Sequence, residues 1–109
     1  MKDSKEILAD LINFKSGLAR MYETIHTCND LHEYVSKIIH YLRVNDIDKN
    51  FVYNQYIPQF EVNIGSIRPY INYSLDSKKS QSKFLSVQNE VFTTMQFLIR
   101  NFEHLAEKE

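Results

Sequence analysis

The chain is poor in residues that break regular structure or staple it. Its 109 residues include one cysteine, two glycines, two prolines and no tryptophan. A lone Cys28 cannot form an intrachain disulfide, so stability must come from a packed core. A reducing, cytoplasmic compartment is the natural setting for such a thiol. Two glycines cannot supply a Gly-rich phosphate loop or a Gly-x-Ser-x-Gly nucleophile elbow. No stretch approaches the roughly 18 apolar residues needed to span a bilayer. Residues 1–20 alternate charged and apolar side chains where a signal peptide would run unbroken and apolar. Neither sign of charge dominates. The formal net charge is −1, so no strong field favours nucleic acid or an anionic membrane.

What is present is the composition of one folded domain over 1–109. The chain is 43% hydrophobic and 25% charged, and this length suits one core rather than two. Ile, Asn, Lys, Tyr and Phe are abundant while Gly, Ala and Pro are scarce. That is the bias of an AT-rich coding sequence, and it points to a bacterial or phage source.

The apolar residues recur with helical period. Ile7, Leu11, Phe14, Leu18, Met21 and Ile25 keep to one helical face, widened by Leu8, Ile12, Ala19 and Tyr22. Asp3 and Glu6 stand in capping-box relation just before it. Gly17 lies within it and costs about 1 kcal/mol relative to Ala. Leu31, Val35, Ile38 and Leu42 form a second stripe with Tyr34 and Ile39 beside it; Asn29 or Asp30 can cap it, and Asn45-Asp46 ends it. The third clear pattern is Phe84, Val91, Met95, Leu98, Phe102 and Leu105, flanked by Leu85, Phe92 and Ile99, with Gln88 its one polar member. It predicts a helix over about 82–107. The run Asp76-Ser77-Lys78-Lys79-Ser80-Gln81-Ser82 is the most loop-like segment.

Residues 48–75 admit two readings. As a helix, Tyr53, Ile57, Phe60, Ile64, Ile67 and Ile71 again share a face, against the opposition of Pro58, Gly65 and Pro69. As strands, Phe60-Glu61-Val62-Asn63-Ile64 alternates cleanly, Gly65-Ser66 suits a type II′ turn, and Ile67–Tyr73 returns as an edge strand. The helical stripe matches the other elements, and an isolated hairpin is marginal in water. The fold expected is therefore all-α: an antiparallel four-helix bundle with a Pro-kinked third helix. The alternative is α+β, three helices plus a β-hairpin at about 59–73. Short connections near 27–29, 45–48 and 75–81 favour antiparallel neighbours.

Candidate chemistry is sparse. His26, Cys28, Asp30, His32 and Glu33 form the densest set of potential ligands. Glu23-Thr24-Ile25-His26 has the Glu-x-x-His spacing of di-iron bundles, which need that motif twice. It occurs once here, so no metal and no cofactor are expected. Lys78, Lys79 and Lys83 read as a solvated basic loop rather than a phosphate site. Arg100-Asn101-Phe102-Glu103-His104 resembles the Arg-Asn…His motif of the HEPN family, small helical proteins that are often RNases. The resemblance covers five residues and departs from the family in placing three residues between Arg and His instead of four to six. It implies an acid/base role for His104 and phosphate stabilisation by Arg100. Arg20 and His26 have an acceptable gap but lack the polar residue after Arg. The plain reading of Arg100 and His104 is a cationic helix end that complements the dipole.

The tyrosines are the stronger signal. Tyr56, Asn63 and Tyr70 follow at heptad steps beside the apolar stripe of the third element, with Tyr53 and Tyr73 in the same segment. Tyr is favoured at interfaces because it buries a large ring and keeps a hydroxyl for a partner. The function expected is that of a non-enzymatic protein-binding bundle: an adaptor, inhibitor or immunity-type protein. It would act through Tyr53, Tyr56, Asn63, Tyr70 and Tyr73 on another protein or on itself as a homodimer. In size and helical content the chain is similar to bacteriocin-type immunity proteins. A HEPN-like ribonuclease or RNA-binding relative is the alternative.

Overall fold

Each apolar stripe winds into a helix in the computed structural model, which describes residues 3–21, 27–45, 55–71 and 78–108. Helix α1 spans Ser4–Arg20, α2 Cys28–Val44, α3 Tyr56–Ile67 and α4 Lys78–Lys108, with a 3-10 turn over Arg68–Tyr70 directly after α3. Among the described residues there is no strand. Ile25, Tyr22, His26, Tyr53 and Tyr73 lie outside the described residues.

The caps follow from local hydrogen bonding. Asp3 caps α1, its Oδ1 accepting from the Glu6 N–H at 2.9 Å. The cap of α2 is Thr27, one turn earlier than Asp30. Thr27 Oγ1 accepts from the Asp30 N–H at 3.1 Å, and the Asp30 carboxylate accepts from the Thr27 N–H at 2.8 Å. Asp30 is thus the reciprocal partner in a capping box, and Asn29 is an ordinary first-turn residue. Such a cap contributes about 1 kcal/mol.

The stretch that could have been a hairpin is helical, and Val62 shows why. A strand would put Phe60, Val62 and Ile64 on one face. Instead Phe60 is 0% exposed and Ile64 4%, while Val62 is 67% exposed. Ile57, Phe60, Ile64 and Ile67 turn together into the core, the period of a helix. Gly65-Ser66 sits inside α3 rather than at a turn. The two prolines act at its ends. Pro58 lies in the first turn, where its missing N–H costs nothing. Pro69 lies where the α-helix tightens into the 3-10 turn.

Helix α4 begins at Lys78, four residues before the expected start, so Lys78–Ser82 is helical rather than loop. Ser80 is consequently buried, and the Cys28 thiol donates to its carbonyl oxygen at 3.5 Å. With 31 residues α4 is about 46 Å long. It runs the full 47 Å of the molecule.

Contacts across the helices fix their directions. Gln88 meets Leu18 and Lys15 lies over Phe92, so α4 runs against α1. Tyr56 meets Asn101 and Lys83 approaches Tyr70, so it runs against α3 as well. Arg43 pairs with Glu61 and Arg68 with His32, which sets α2 against α3. The bundle is up-down-up-down. Its core gathers Leu11, Leu18, Leu31, Ile38, Leu42, Phe60, Ile67, Met95 and Leu98, all fully enclosed. Gln88, the polar break in the α4 stripe, is buried with them and donates to the Leu18 carbonyl at 2.7 Å.

Long side chains bridge α1 and α2. Tyr34 donates its hydroxyl to the Phe14 carbonyl at 2.6 Å, and Tyr41 donates to the Asp10 carboxylate at 2.7 Å. The Phe14 ring meets both tyrosines edge-on, with centroids 6.1 and 5.3 Å away. Burial raises the phenol pKa of Tyr34 and Tyr41, and for Tyr41 the bonded Asp10 carboxylate raises it further. Both hydroxyls therefore stay protonated and keep donating.

Candidate functional site

Of the heptad row expected to face a partner, Tyr56 and Tyr70 contact α4. Tyr56 is 7% exposed, Asn63 1%, and Tyr70 is half-buried against the core. Tyr56 accepts a hydrogen bond from the Asn101 side chain, and Asn63 Oδ1 accepts from Gln59 Nε2 at 3.3 Å. This burial has a simple cause. Helix α3 packs against both α2 and α4, so its inward arc is wider than one apolar stripe and takes in the neighbouring row. Tyr56 and Asn63 are interior residues of the bundle. Tyr53 and Tyr73 lie outside the described residues.

Beside that row is a groove between α3 and α4, about 460 Å³ in volume, lined by Gln55, Tyr56, Gln59, Thr93, Thr94 and Phe97. The Tyr56 ring is the part of the heptad row that reaches it. Phe97 is 54% exposed, whereas Val91, Met95, Leu98 and Phe102 of the same helix are buried. Val62 lies one turn along α3 from Gln59, on the same face. No lining residue carries a charge. Thr93 and Thr94 donate their hydroxyl protons to the carbonyls of Asn89 and Glu90, both at 3.0 Å, so those protons are committed within α4. Two aromatic rings among uncharged amide and hydroxyl side chains suit an interface core, which is depleted of charge and enriched in aromatics.

Phe97 was absent from the expected site, although the sequence carries a signal for it. It falls about 100° around the helix from Leu98, off the stripe of Val91, Met95, Leu98 and Phe102. An off-stripe aromatic on an otherwise regular amphipathic helix is an exposed aromatic.

The other candidate residues separate. Cys28 turns inward to Ser80, Asp30 is held by the α2 cap, and Arg68 Nε donates to His32 Nε2 at 3.5 Å. Among the described residues, no three His, Cys, Asp or Glu side chains are grouped to hold a metal ion. His26 lies outside them. Burial first, and then the Arg68 charge, lower the His32 pKa below its usual 6.5, with Glu33 acting in the opposite sense. Arg100 and His104 are exposed one turn apart on α4. No helix is long and apolar enough to cross a membrane among the described residues.

No family model, curated protein or solved structure matches the chain.

Proposed function

We propose that the chain is a non-enzymatic protein-binding bundle of the adaptor, inhibitor or immunity kind, and that its α3–α4 groove receives a second copy of the same chain. The observation that carries this reading is Phe97, more than half exposed at an uncharged groove. Burying a phenylalanine fully contributes about 1.5–3 kcal/mol, of which the monomer leaves about half unrealised.

Self-pairing is favoured by charge. An isologous interface sets each patch against itself, so a charged centre would repel its own copy. The centre here is neutral. On α4, Glu90, Thr93, Phe97 and Arg100 follow at steps of 3, 4 and 3 and share one face. Two antiparallel copies of α4, paired about the midpoint between Thr93 and Phe97, would set Arg100 of each level with Glu90 of the other. Both residues are exposed and of opposite sign. The result is an uncharged centre with a complementary charged rim. The reading belongs with a cytoplasmic protein of bacterial or phage source. It assigns Arg100 a rim role, and no observation favours the ribonuclease alternative.

Charge reversal tests the pairing. Glu90→Arg or Arg100→Glu alone should weaken self-association about tenfold, and the two together should restore it. Failure of the double variant to recover would refute this geometry.

A further inference from the structure

A separate feature lies at the other end of α4. Between Glu61 and Glu90 the sequence holds one acidic residue, Asp76, against Arg68, Lys78, Lys79 and Lys83. A chain of net charge −1 therefore concentrates positive charge in one region. The early start of α4 gives this charge a shape. Helical spacing winds Lys79, Ser82, Lys83 and Ser86 onto one face, with Lys78 at its edge. Across from them stands Tyr70 on the 3-10 turn, its ring centroid 6.0 Å from the Lys83 ammonium. These six residues line a depression of about 570 Å³, within the usual 300–1,000 Å³ range for small-molecule sites.

From this we infer that the depression binds a phosphorylated small molecule. Three lysines line it, and among the described residues no carboxylate does. A compact dianion relieves that repulsion, with lysines as point-charge donors and the Ser82 and Ser86 hydroxyls as neutral ones. The volume exceeds what a bare phosphate fills, which leaves the Tyr70 ring as a wall for the rest of the ligand. The site is independent of the α3–α4 groove and shares no lining residue with it.

Calorimetric titration with pyrophosphate at low ionic strength provides the test, with sulfate as the competing simple anion. Saturable binding of one pyrophosphate per chain is expected, stronger than sulfate. Lys79→Gln with Lys83→Gln should weaken it at least about tenfold. Ser82→Asp, which places a carboxylate at an exposed position in the depression, should abolish it. Circular dichroism of each variant should match the wild type. The proposal is overturned if binding is not saturable, if sulfate binds equally well, or if folded variants bind as the wild type does. Attachment to phosphatidylserine vesicles without pyrophosphate binding would equally overturn it, and would identify the patch as a membrane-facing surface.

Discussion

The hydroxyl of Tyr34 occupies the space that a β-carbon at position 17 would need. A β-carbon built on Gly17 collides with that oxygen and comes within 3.1 Å of the ring carbon bearing it. Gly17 costs about 1 kcal/mol in helix propensity, and its return is the close approach that lets Tyr34 bond the Phe14 carbonyl. Gly17→Ala should therefore destabilise the fold by about 1–3 kcal/mol, despite alanine being the better helix former. Gly65 is the control, since a β-carbon there meets nothing within 4 Å. Gly65→Ala should stabilise by up to about 1 kcal/mol. Urea denaturation measures both.

The same contact makes the two positions energetically coupled. In a Tyr34→Phe background the obstructing oxygen is gone, and Gly17→Ala should cost less than in the wild type. A double-mutant cycle in urea reads the difference. Additive effects would mean that the glycine is needed for something other than Tyr34.

Helical winding of α3 makes a contrast between neighbours. Val62→Lys should change stability by less than about 0.5 kcal/mol, because the side chain is already in water. Phe60→Ala, two residues away, should cost about 3–5 kcal/mol. Thermal or urea denaturation checks both, and a large loss at Val62 would restore the strand reading.

Much of this fold was legible in the residue pattern. The stripes of α1, α2 and α4 give the helices and most of the core, and Asp3 marks the start of α1. The start of α4 was obscured because Lys78–Ser82 is polar throughout. Within that helical turn one serine, Ser80, is buried and packs beside Cys28. The site was legible only in part. Periodicity shows which residues share a face, but not how many neighbours a helix has. Tyr56 and Asn63 looked like the edge of α3 until α2 and α4 enclosed it from both sides. Phe97 broke the α4 stripe in plain view, but only the folded chain shows it beside a groove.

His32 gives a pH-dependent signature. Burial and Arg68 lower its pKa, so the folded chain resists a proton that the unfolded chain accepts near 6.5. Its contribution to stability is present above that pH and is lost as pH falls through the lower, folded value. An NMR titration of the imidazole should give a midpoint below 6.5, and Arg68→Gln should raise it. An unchanged midpoint in that variant would show that the Arg68 charge is not felt.

Self-association through Phe97 is tested most directly by molar mass from light scattering, comparing the wild type with Phe97→Asp. The substitution changes an exposed side chain, so the helical content should be unaffected. The wild type at tens of micromolar is expected to show about twice the 13.0 kDa of one chain, and Phe97→Asp to show 13.0 kDa. A wild type that stays at 13.0 kDa across the concentration range, or a dimer that Phe97→Asp leaves intact, would contradict it.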